Sequence, residues 1–292
     1  MTIHIVTSGK GNVGKSSFAS ALATVGAAAG ANPQLIDADE QKQTLSKLYG
    51  EKKTLMVKLS DDPIYEGQPD AIWQMAESTG LDIIVDLAAQ TDIHINRWMR
   101  DRGILDIAKL RNTRIIKWWV ADLDSDSFVD LSKLCTDYSS DQITHVLVKS
   151  LYRGRDSLWE KIEQKNENIT AAKKLGLKII EFPRMFEGVI DKLRAKNQTF
   201  RDVMLDEQHK NIDMLNRSTV LSWIRKVQKQ VEEVYQFTPV KLEAQKPEGK
   251  ENPTPETNAI EDKVPKLEGD KGKSNASTVD SKKNEASKAK AK

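Results

Sequence analysis

The sequence predicts a doubly wound α/β domain with a mostly parallel sheet, followed by a disordered C-terminal tail. A glycine-rich loop lies between a short apolar run and a helical segment near the start of the 292-residue chain. Short runs rich in β-branched residues then alternate with helical stretches, which is typical of βαβ units. Residues 238–292 contain no aromatic residue and five of the nine prolines. We therefore predict a folded domain at 1–237 and a disordered tail at 238–292.

The first elements are a strand, a loop and a helix that together predict a phosphate site. Residues 3–6 (IHIV) predict a short buried strand and residues 17–23 (SFASALA) predict a helix. The loop between them reads SGKGNVGKSS at residues 8–17 and fits the pattern G-x-x-x-x-G-K-[ST]. An ordinary glycine-rich turn is the alternative, and the flanking strand and helix favour the phosphate site.

Such a loop binds phosphate because its backbone N–H groups, together with a helix N-terminus, surround the anion with partial positive charge. Lys15 is then placed to contact the β- and γ-phosphate oxygens, and Ser16 to hold Mg²⁺. The residues expected to contact the nucleotide are Gly9, Gly11, Asn12, Val13, Gly14, Lys15, Ser16 and Ser17.

This loop resembles that of the ParA/MinD family of P-loop ATPases, which reads K-G-G-x-G-K-[ST]. Lys10 stands at the position of the family's signature lysine, and Asn12 stands where the family usually has its second glycine. Because Asn tolerates left-handed backbone angles, the loop can still form. The resemblance implies that the nucleotide is ATP and that Lys10 and Lys15 are catalytic.

A second segment, which a second predicted strand leads into, resembles the family's D-x-D-P-Q switch. Residues 34–41 read QLIDADEQ, with Glu40 in place of the usual proline. The resemblance implies that Asp37 helps to hold Mg²⁺ through water and that Asp39 orients the water that attacks the γ-phosphate. A strand that ends in a solvated acidic turn is the alternative.

The third motif is the apolar run LDIIVD at residues 81–86, which resembles a Walker B strand. A parallel strand that ends in an acid places the carboxylate at the edge of the sheet where ligands bind. Asp86 is therefore a predicted metal ligand, and residues 86–91 would form the second switch.

Three further strands are predicted at residues 114–120, 143–148 and 177–182. In the family, the base is often contacted by an Asn after one late strand and by the segment around a Pro after the next. Lys149 occupies the first of these places and Pro183 the second. The resemblance therefore implies adenine and assigns Pro183 to nucleotide binding.

The segment that follows the second switch is basic and contains two tryptophans. The resemblance implies binding of DNA without sequence preference, either directly or through a partner protein, by such a segment. A solvated helix face with core tryptophans is the alternative. The residues concerned are Arg97, Arg100, Arg102, Lys109, Arg111, Arg114 and Lys117, against Asp101 and Asp106, with Trp98 and Trp118 interleaved.

Two further predictions, each with an alternative, concern the C-terminal part of the sequence. Apolar positions recur at helical spacing over residues 212–235, which predicts a final helix packed on the domain, with a membrane-binding helix as the disfavoured alternative. The basic residues at 282–292 predict a solubilising extension, with contact to DNA or an acidic partner as the alternative.

Several classes of protein are excluded or disfavoured by composition. The single cysteine, Cys135, rules out an intramolecular disulfide and an iron–sulfur ligand set, and the four histidines lack metal-ligand spacing. No signal peptide precedes the first strand and no apolar run could span a bilayer, so we expect a cytoplasmic location.

The resemblance implies a cytoplasmic Mg²⁺-dependent ATPase that forms a homodimer with ATP between the protomers. Lys10 would reach the partner's phosphates, and hydrolysis would release both switches. Within the family, the sequence most resembles plasmid stability and conjugal-transfer ATPases of the StbB/TraL kind, which implies a role in plasmid partition, stability or conjugal transfer. Two alternatives remain: a carboxylate-activating enzyme of the same fold, such as dethiobiotin synthetase or the cobyrinate amidases, and a nucleotide-binding scaffold that hydrolyses ATP hardly at all.

Overall fold

A parallel sheet of seven strands forms the centre of the described fold. The computed structural model describes residues 1–152, 156–206, 208 and 212–240. The strands follow the order β3-β2-β4-β1-β5-β6-β7, and every pairing is parallel. They are β1 (Thr2–Thr7), β2 (Gln34–Ala38), β3 (Thr54–Met56), β4 (Ile83–Leu87), β5 (Arg114–Ala121), β6 (Ile143–Ser150) and β7 (Lys178–Phe182).

Helices cover both faces of this sheet, which confirms the predicted doubly wound α/β fold. One apolar cluster packs α1, α9, α10 and α11 against one face, and two further clusters pack α3 to α8 against the other. The helices are α1 (Lys15–Ala28), α2 (Thr44–Tyr49), α3 (Asp70–Thr79), α4 (Asp92–Asp101), α5 (Ile104–Leu110), α6 (Leu131–Asp137), α7 (Asp156–Lys165), α8 (Glu167–Lys174), α9 (Glu187–Ala195), α10 (Phe200–Leu205) and α11 (Met214–Glu232).

The strand order reverses at β1, which places the ligand crevice. β1 lies between β4 and β5, so the chain winds toward β3 on one side and toward β7 on the other. In open α/β sheets, ligands bind outside the carboxyl ends of the strands at such a reversal. The loop after β1 is the predicted phosphate loop, so fold and motif indicate the same place.

All six predicted strands are present, and the structure adds β3, which the sequence did not predict. β3 has three residues at the edge of the sheet, and Leu55 is 36% exposed. A strand this short and open to solvent on one side needs no apolar run, so the pattern that reveals buried strands is missing.

The predicted final helix is α11, and it packs on the domain. Its buried side chains include Val220, Trp223 and Val227, and it contacts α1 and α10. The Trp223 indole donates a 2.7 Å hydrogen bond to the carbonyl of Pro183, which ties the helix to the segment after β7.

Chain packing continues past α11 along the amino ends of the strands. The Tyr235 hydroxyl donates to Asp82 Oδ2 at 2.8 Å, Phe237 is 9% exposed, and the Val240 N–H bonds the carbonyl of Gly30 at 3.0 Å. The predicted tail lies outside the described residues from 241 onward. Within the described ranges, no helix combines the length and apolar character needed to cross a bilayer.

Candidate functional site

The loop after β1 forms an open cradle at the N-terminus of α1. Asn12 has φ 61° and Gly14 has φ 102°, so both adopt left-handed angles that turn the chain tightly. No side chain caps α1, which leaves the N–H groups of its first turn free to bind an anion. A side chain at Gly14 would meet Ser150 Oγ at 3.6 Å and the Phe182 ring at 3.9 Å.

The predicted loop residues differ in how far their side chains are exposed. Lys15 is 7% exposed, and its Nζ lies 3.4 Å from the carbonyl of Lys10, so the ammonium curls over the loop. Burial lowers the pKa of Lys15, an effect that the nearby Asp86 carboxylate opposes. Val13 is buried in the core, whereas Ser16 is half-buried and Ser17 is exposed.

The two predicted metal acids lie side by side. Asp37 on β2 and Asp86 on β4 are register partners, and both are completely buried. Neither Asp86 oxygen makes a hydrogen bond of good geometry to a described residue. Burial raises the pKa of Asp86 to about 7, although the neighbouring Ser16 hydroxyl favours the ionised form. A buried carboxylate without a partner is costly, and a cation would compensate it.

Asp37 and Asp39 organise the backbone of the predicted first switch. The two oxygens of Asp37 accept from the N–H groups of Asp39 at 3.1 Å and Ser46 at 2.9 Å. Asp39 Oδ1 accepts from the N–H groups of Gln41 at 3.2 Å and Lys42 at 3.0 Å. Within the described ranges, Oδ2 of Asp39 carries no hydrogen bond of this kind and is available to a water.

Mg²⁺ fits this site if carboxylates supply only some of its ligands. The described residues contain no group of three or more His, Cys, Asp or Glu side chains that could hold a metal. Mg²⁺ is usually bound through one or two carboxylates together with waters and substrate phosphates. The orphaned Asp86 beside Ser16 at an uncapped helix N-terminus matches that donor set.

Lys10 lies beside the carboxyl end of β5. It forms ion pairs with Asp124 and, at 3.9 Å, with Asp122 of the same chain. Asp122 Oδ1 also accepts from the Asp124 N–H at 3.2 Å and from the Ser127 hydroxyl at 2.9 Å, which fixes the turn that carries both acids. These partners could not be predicted from the sequence, because they lie more than 110 residues away along the chain.

Lys149 does not face the cradle. Its Nζ pairs with Glu163 and Glu181 at 2.9 Å each, on the face of β6 opposite to Ser150. The residue at the carboxyl end of β6 that approaches the cradle is Ser150, the last residue of the strand, through its proximity to Gly14. Strand alternation is the signal that could have identified Ser150. Pro183 lies directly after β7 at the same edge of the sheet.

The predicted basic surface is partly neutralised. Arg97 pairs with Asp61, Arg102 with Asp70 and Arg111 with Glu77. The placement of Lys117 in this surface was wrong, because its side chain is 2% exposed and lies in the core. Trp98 and Trp118 are also buried, as expected from the alternative hypothesis of a solvated helix face with core tryptophans.

A cleft of about 570 Å³ opens beside the phosphate loop. It runs between α4 and α6, and its lining includes Ser8, Gly9, Asn96, Lys133 and Tyr138. This cleft could not be predicted from the sequence, because it depends on how two helices separated in the chain pack on β5.

Residues 4–237 match the family model described as the CobQ/CobB/MinD/ParA nucleotide binding domain. Comparison with curated proteins returns no match. Similar solved structures include the MinC:MinD cell division protein complex of Aquifex aeolicus, with TM-score 0.46, 14% identity and coverage of 81% of this chain and 100% of that chain. They also include the MinD cell division protein of Aquifex aeolicus, with TM-score 0.46, 14% identity and coverage of 82% and 100%.

Proposed function

Because this chain belongs to the CobQ/CobB/MinD/ParA nucleotide binding domain family, we propose that it is a Mg²⁺-dependent ATPase that works as a dimeric switch. The observation that carries the proposal is the orphaned Asp86 carboxylate beside an uncapped helix N-terminus. An uncapped helix N-terminus attracts phosphate, and an unpaired buried carboxylate attracts a cation, so the site is suited to a nucleotide with Mg²⁺.

The residues of the cradle would contact different parts of the nucleotide. Gly9, Gly11, Asn12 and Val13 would present backbone N–H groups to the phosphates, and Lys15 would contact the β- and γ-phosphate oxygens. The base would lie near Pro183. The remaining nucleotide contacts would come from Gly14, Ser16 and Ser17.

Ser16 and Asp86 would hold Mg²⁺, with Asp37 acting through water. A bound Mg²⁺ would neutralise charge on the phosphate oxygens. Asp39 would orient the attacking water through Oδ2, since its Oδ1 is occupied by two switch amides. Removal of the γ-phosphate would then free the switch that Asp39 organises.

A homodimer would complete the site. Lys10 is half-exposed at the rim of the cradle, where it contacts Asp124. Transfer of its ammonium to the phosphates of a second copy would stabilise charge that develops during hydrolysis. Nucleotide state would then control the binding of DNA or of a DNA-binding partner, in plasmid partition, stability or conjugal transfer of the StbB/TraL kind.

A carboxylate-activating enzyme is a second candidate, and the cleft beside Ser8 and Gly9 favours it. Such an enzyme needs space for a small acid next to the γ-phosphate, and about 570 Å³ is within the range of small-molecule sites. ATP turnover that depends on one member of a panel of carboxylates would support this candidate over the switch.

The proposal is tested by light scattering of the full chain with ADP and with ATP plus Mg²⁺, together with ATP turnover. We expect an ATP-dependent dimer that Lys10→Ala abolishes and turnover that Asp39→Asn abolishes. Lys52→Ala, which removes an exposed lysine outside the cradle, is the matched control. A monomer in every nucleotide state would exclude the dimeric switch, and tight binding without Asp39-dependent turnover would favour the scaffold.

A further inference from the structure

Lys42 is a cation of the first switch that has no assigned role. It lies three residues after Asp39 and two before α2. Its N–H donates to Asp39 Oδ1 at 3.0 Å, and the next N–H, of Gln43, donates to the Asp39 carbonyl at 2.8 Å. The backbone of Lys42 is therefore fixed by the acid proposed to orient the attacking water.

The side chain of Lys42 crosses to the phosphate loop. Its Nζ donates a 2.8 Å hydrogen bond to Oδ1 of Asn12, a residue 30 positions earlier in the chain. Asn12 has left-handed backbone angles and is exposed at the tip of the cradle. The ammonium of Lys42 is thus held at the mouth of the nucleotide site by a neutral amide.

This contact differs from those of two other lysines, which pair with carboxylates. Lys10 pairs with Asp124 and Lys58 pairs with Glu40 at 3.2 Å. Across the described part of the chain, Lys42 forms no ion pair with a carboxylate within 4.0 Å. A hydrogen bond to a neutral amide is weaker than one between two charged groups, so an anion that enters the cradle can replace Asn12 as the partner.

The charges around the cradle favour such an exchange. Lys42 and Lys15 lie near enough for their positive charges to repel each other. A polyphosphate between the two ammonium groups would convert that repulsion into attraction for both. Lys15 belongs to the loop and contacts whatever phosphates occupy it, whereas Lys42 belongs to the switch that follows Asp39.

We propose that Lys42 exchanges Asn12 for the terminal phosphate of ATP bound in the same chain, and so distinguishes ATP from ADP. This inference rests on the proposed nucleotide function, and it adds a third lysine to Lys10 and Lys15. With ATP bound, Lys42 connects the γ-phosphate to the switch backbone that Asp39 holds. With ADP bound, it returns to Asn12.

The test measures nucleotide affinity of the full chain by titration calorimetry, with ATPγS and with ADP in the presence of Mg²⁺. Lys42→Met is expected to weaken ATPγS binding by about 10- to 100-fold, the range of a charged hydrogen bond, and ADP binding by less than about threefold. Lys42→Arg should recover most of the ATPγS affinity. Lys52→Met makes the same charge change at an exposed position and should alter neither affinity.

Each other outcome decides against the inference. Equal losses for ATPγS and ADP, or no loss for either, would overturn the role of Lys42 while leaving the proposed nucleotide function intact. Absence of nucleotide binding by the unmutated protein would overturn both. Circular dichroism spectra that match the unmutated protein establish that Lys42→Met is folded.

Asn12→Gly separates phosphate recognition from a purely structural link. Glycine accepts φ 61° without strain, so the loop is expected to keep its shape. Lys42→Met should still weaken ATPγS binding in this background, because the lysine then contacts the phosphate and not Asn12. If Asn12→Gly loses as much affinity as Lys42→Met and the double variant loses no more, Lys42 only braces the loop and the inference is wrong.

Discussion

Lys117 and Asp92 form an ion pair inside the protein, with 2.7 Å between Nζ of the lysine and Oδ1 of the aspartate. Asn96 Oδ1 accepts a further hydrogen bond from Lys117 at 2.6 Å, and its amide donates to Asp92 Oδ2 at 2.6 Å. Asp92 is the first residue of α4. The pair therefore joins the start of α4, directly after the predicted second switch, to the centre of β5.

Removal of one partner should destabilise the fold more than removal of both. Lys117→Met leaves Asp92 buried without its cation, and we expect a loss of about 3–5 kcal/mol in the free energy of unfolding. The double variant Lys117→Met with Asp92→Leu should recover a large part of that loss. Urea denaturation of both single variants and the double variant measures the coupling, and additive losses would contradict it.

Asp86→Asn should stabilise the nucleotide-free protein while removing the proposed Mg²⁺ ligand. The pKa of Asp86 is raised to about 7, so the native state holds a proton that the unfolded state releases between about pH 4 and 7. Stability therefore falls as pH rises through that window, by on the order of 1.4 kcal/mol per pH unit. The gain in melting temperature of the variant should be largest above pH 7 and vanish near pH 4.

Asp86→Asn also tests whether Asp86 binds Mg²⁺. Mg²⁺ should no longer strengthen ATPγS binding to Asp86→Asn, whereas it should strengthen binding to the unmutated protein. A variant that is less stable than the unmutated protein at pH 8 would contradict the predicted stabilisation. A variant whose ATPγS affinity still rises with Mg²⁺ would contradict the predicted role as a metal ligand.

Asp124→Asn should ease the proposed transfer of Lys10 to a second copy. The carboxylate of Asp124 holds the ammonium of Lys10 in its own chain, and an amide would hold it less tightly. We expect dimerisation at a lower ATP concentration, by a fewfold, measured by light scattering across an ATP titration. Asp130→Asn is the control, because it changes an acid that lines the cleft beside Ser8 and Gly9, and equal shifts would indicate a general effect of charge.

His4 should make the fold sensitive to acid. It is fully buried, its Nδ1 accepts from the Trp118 indole at 3.2 Å, and burial lowers its pKa to about 3. The unfolded state therefore binds a proton at His4 below about pH 6.5, whereas the native state binds it only near pH 3. The free energy of unfolding therefore falls as pH falls through this window. In His4→Phe, the slope of unfolding free energy against pH should be smaller by about 1.4 kcal/mol per unit between pH 4 and 6. Equal slopes would contradict the prediction.

The sequence patterns predicted those parts of the molecule that local chemistry dictates. Strands β4 and β5 are buried on both faces, so their β-branched runs are visible in the sequence. The cradle follows from a glycine-rich motif whose spacing is set by the phosphates themselves. Asp37 and Asp86 were predicted at strand ends, and the register of the sheet brings them together.

The parts that could not be predicted depend on contacts between distant residues. Lys117 lies among arginines in the sequence, and only the packing of α4 on β5 makes it a core residue. The hydrogen bond between Lys42 and Asn12 joins two loops whose approach is set by the whole sheet. Lys149 and Ser150 differ by one position, and strand alternation sends them to opposite faces.

The packing of residues 235–240 on the amino ends of the strands has a practical consequence for how the molecule can be handled. Val240 is 39% exposed beside Gly30, on the side of the sheet away from the phosphate loop. Cys135, the single cysteine of the chain, is buried. A thiol introduced by Val240→Cys would therefore react selectively with a maleimide, and a sensor surface coated through that thiol would present every molecule with its nucleotide cradle facing the solution.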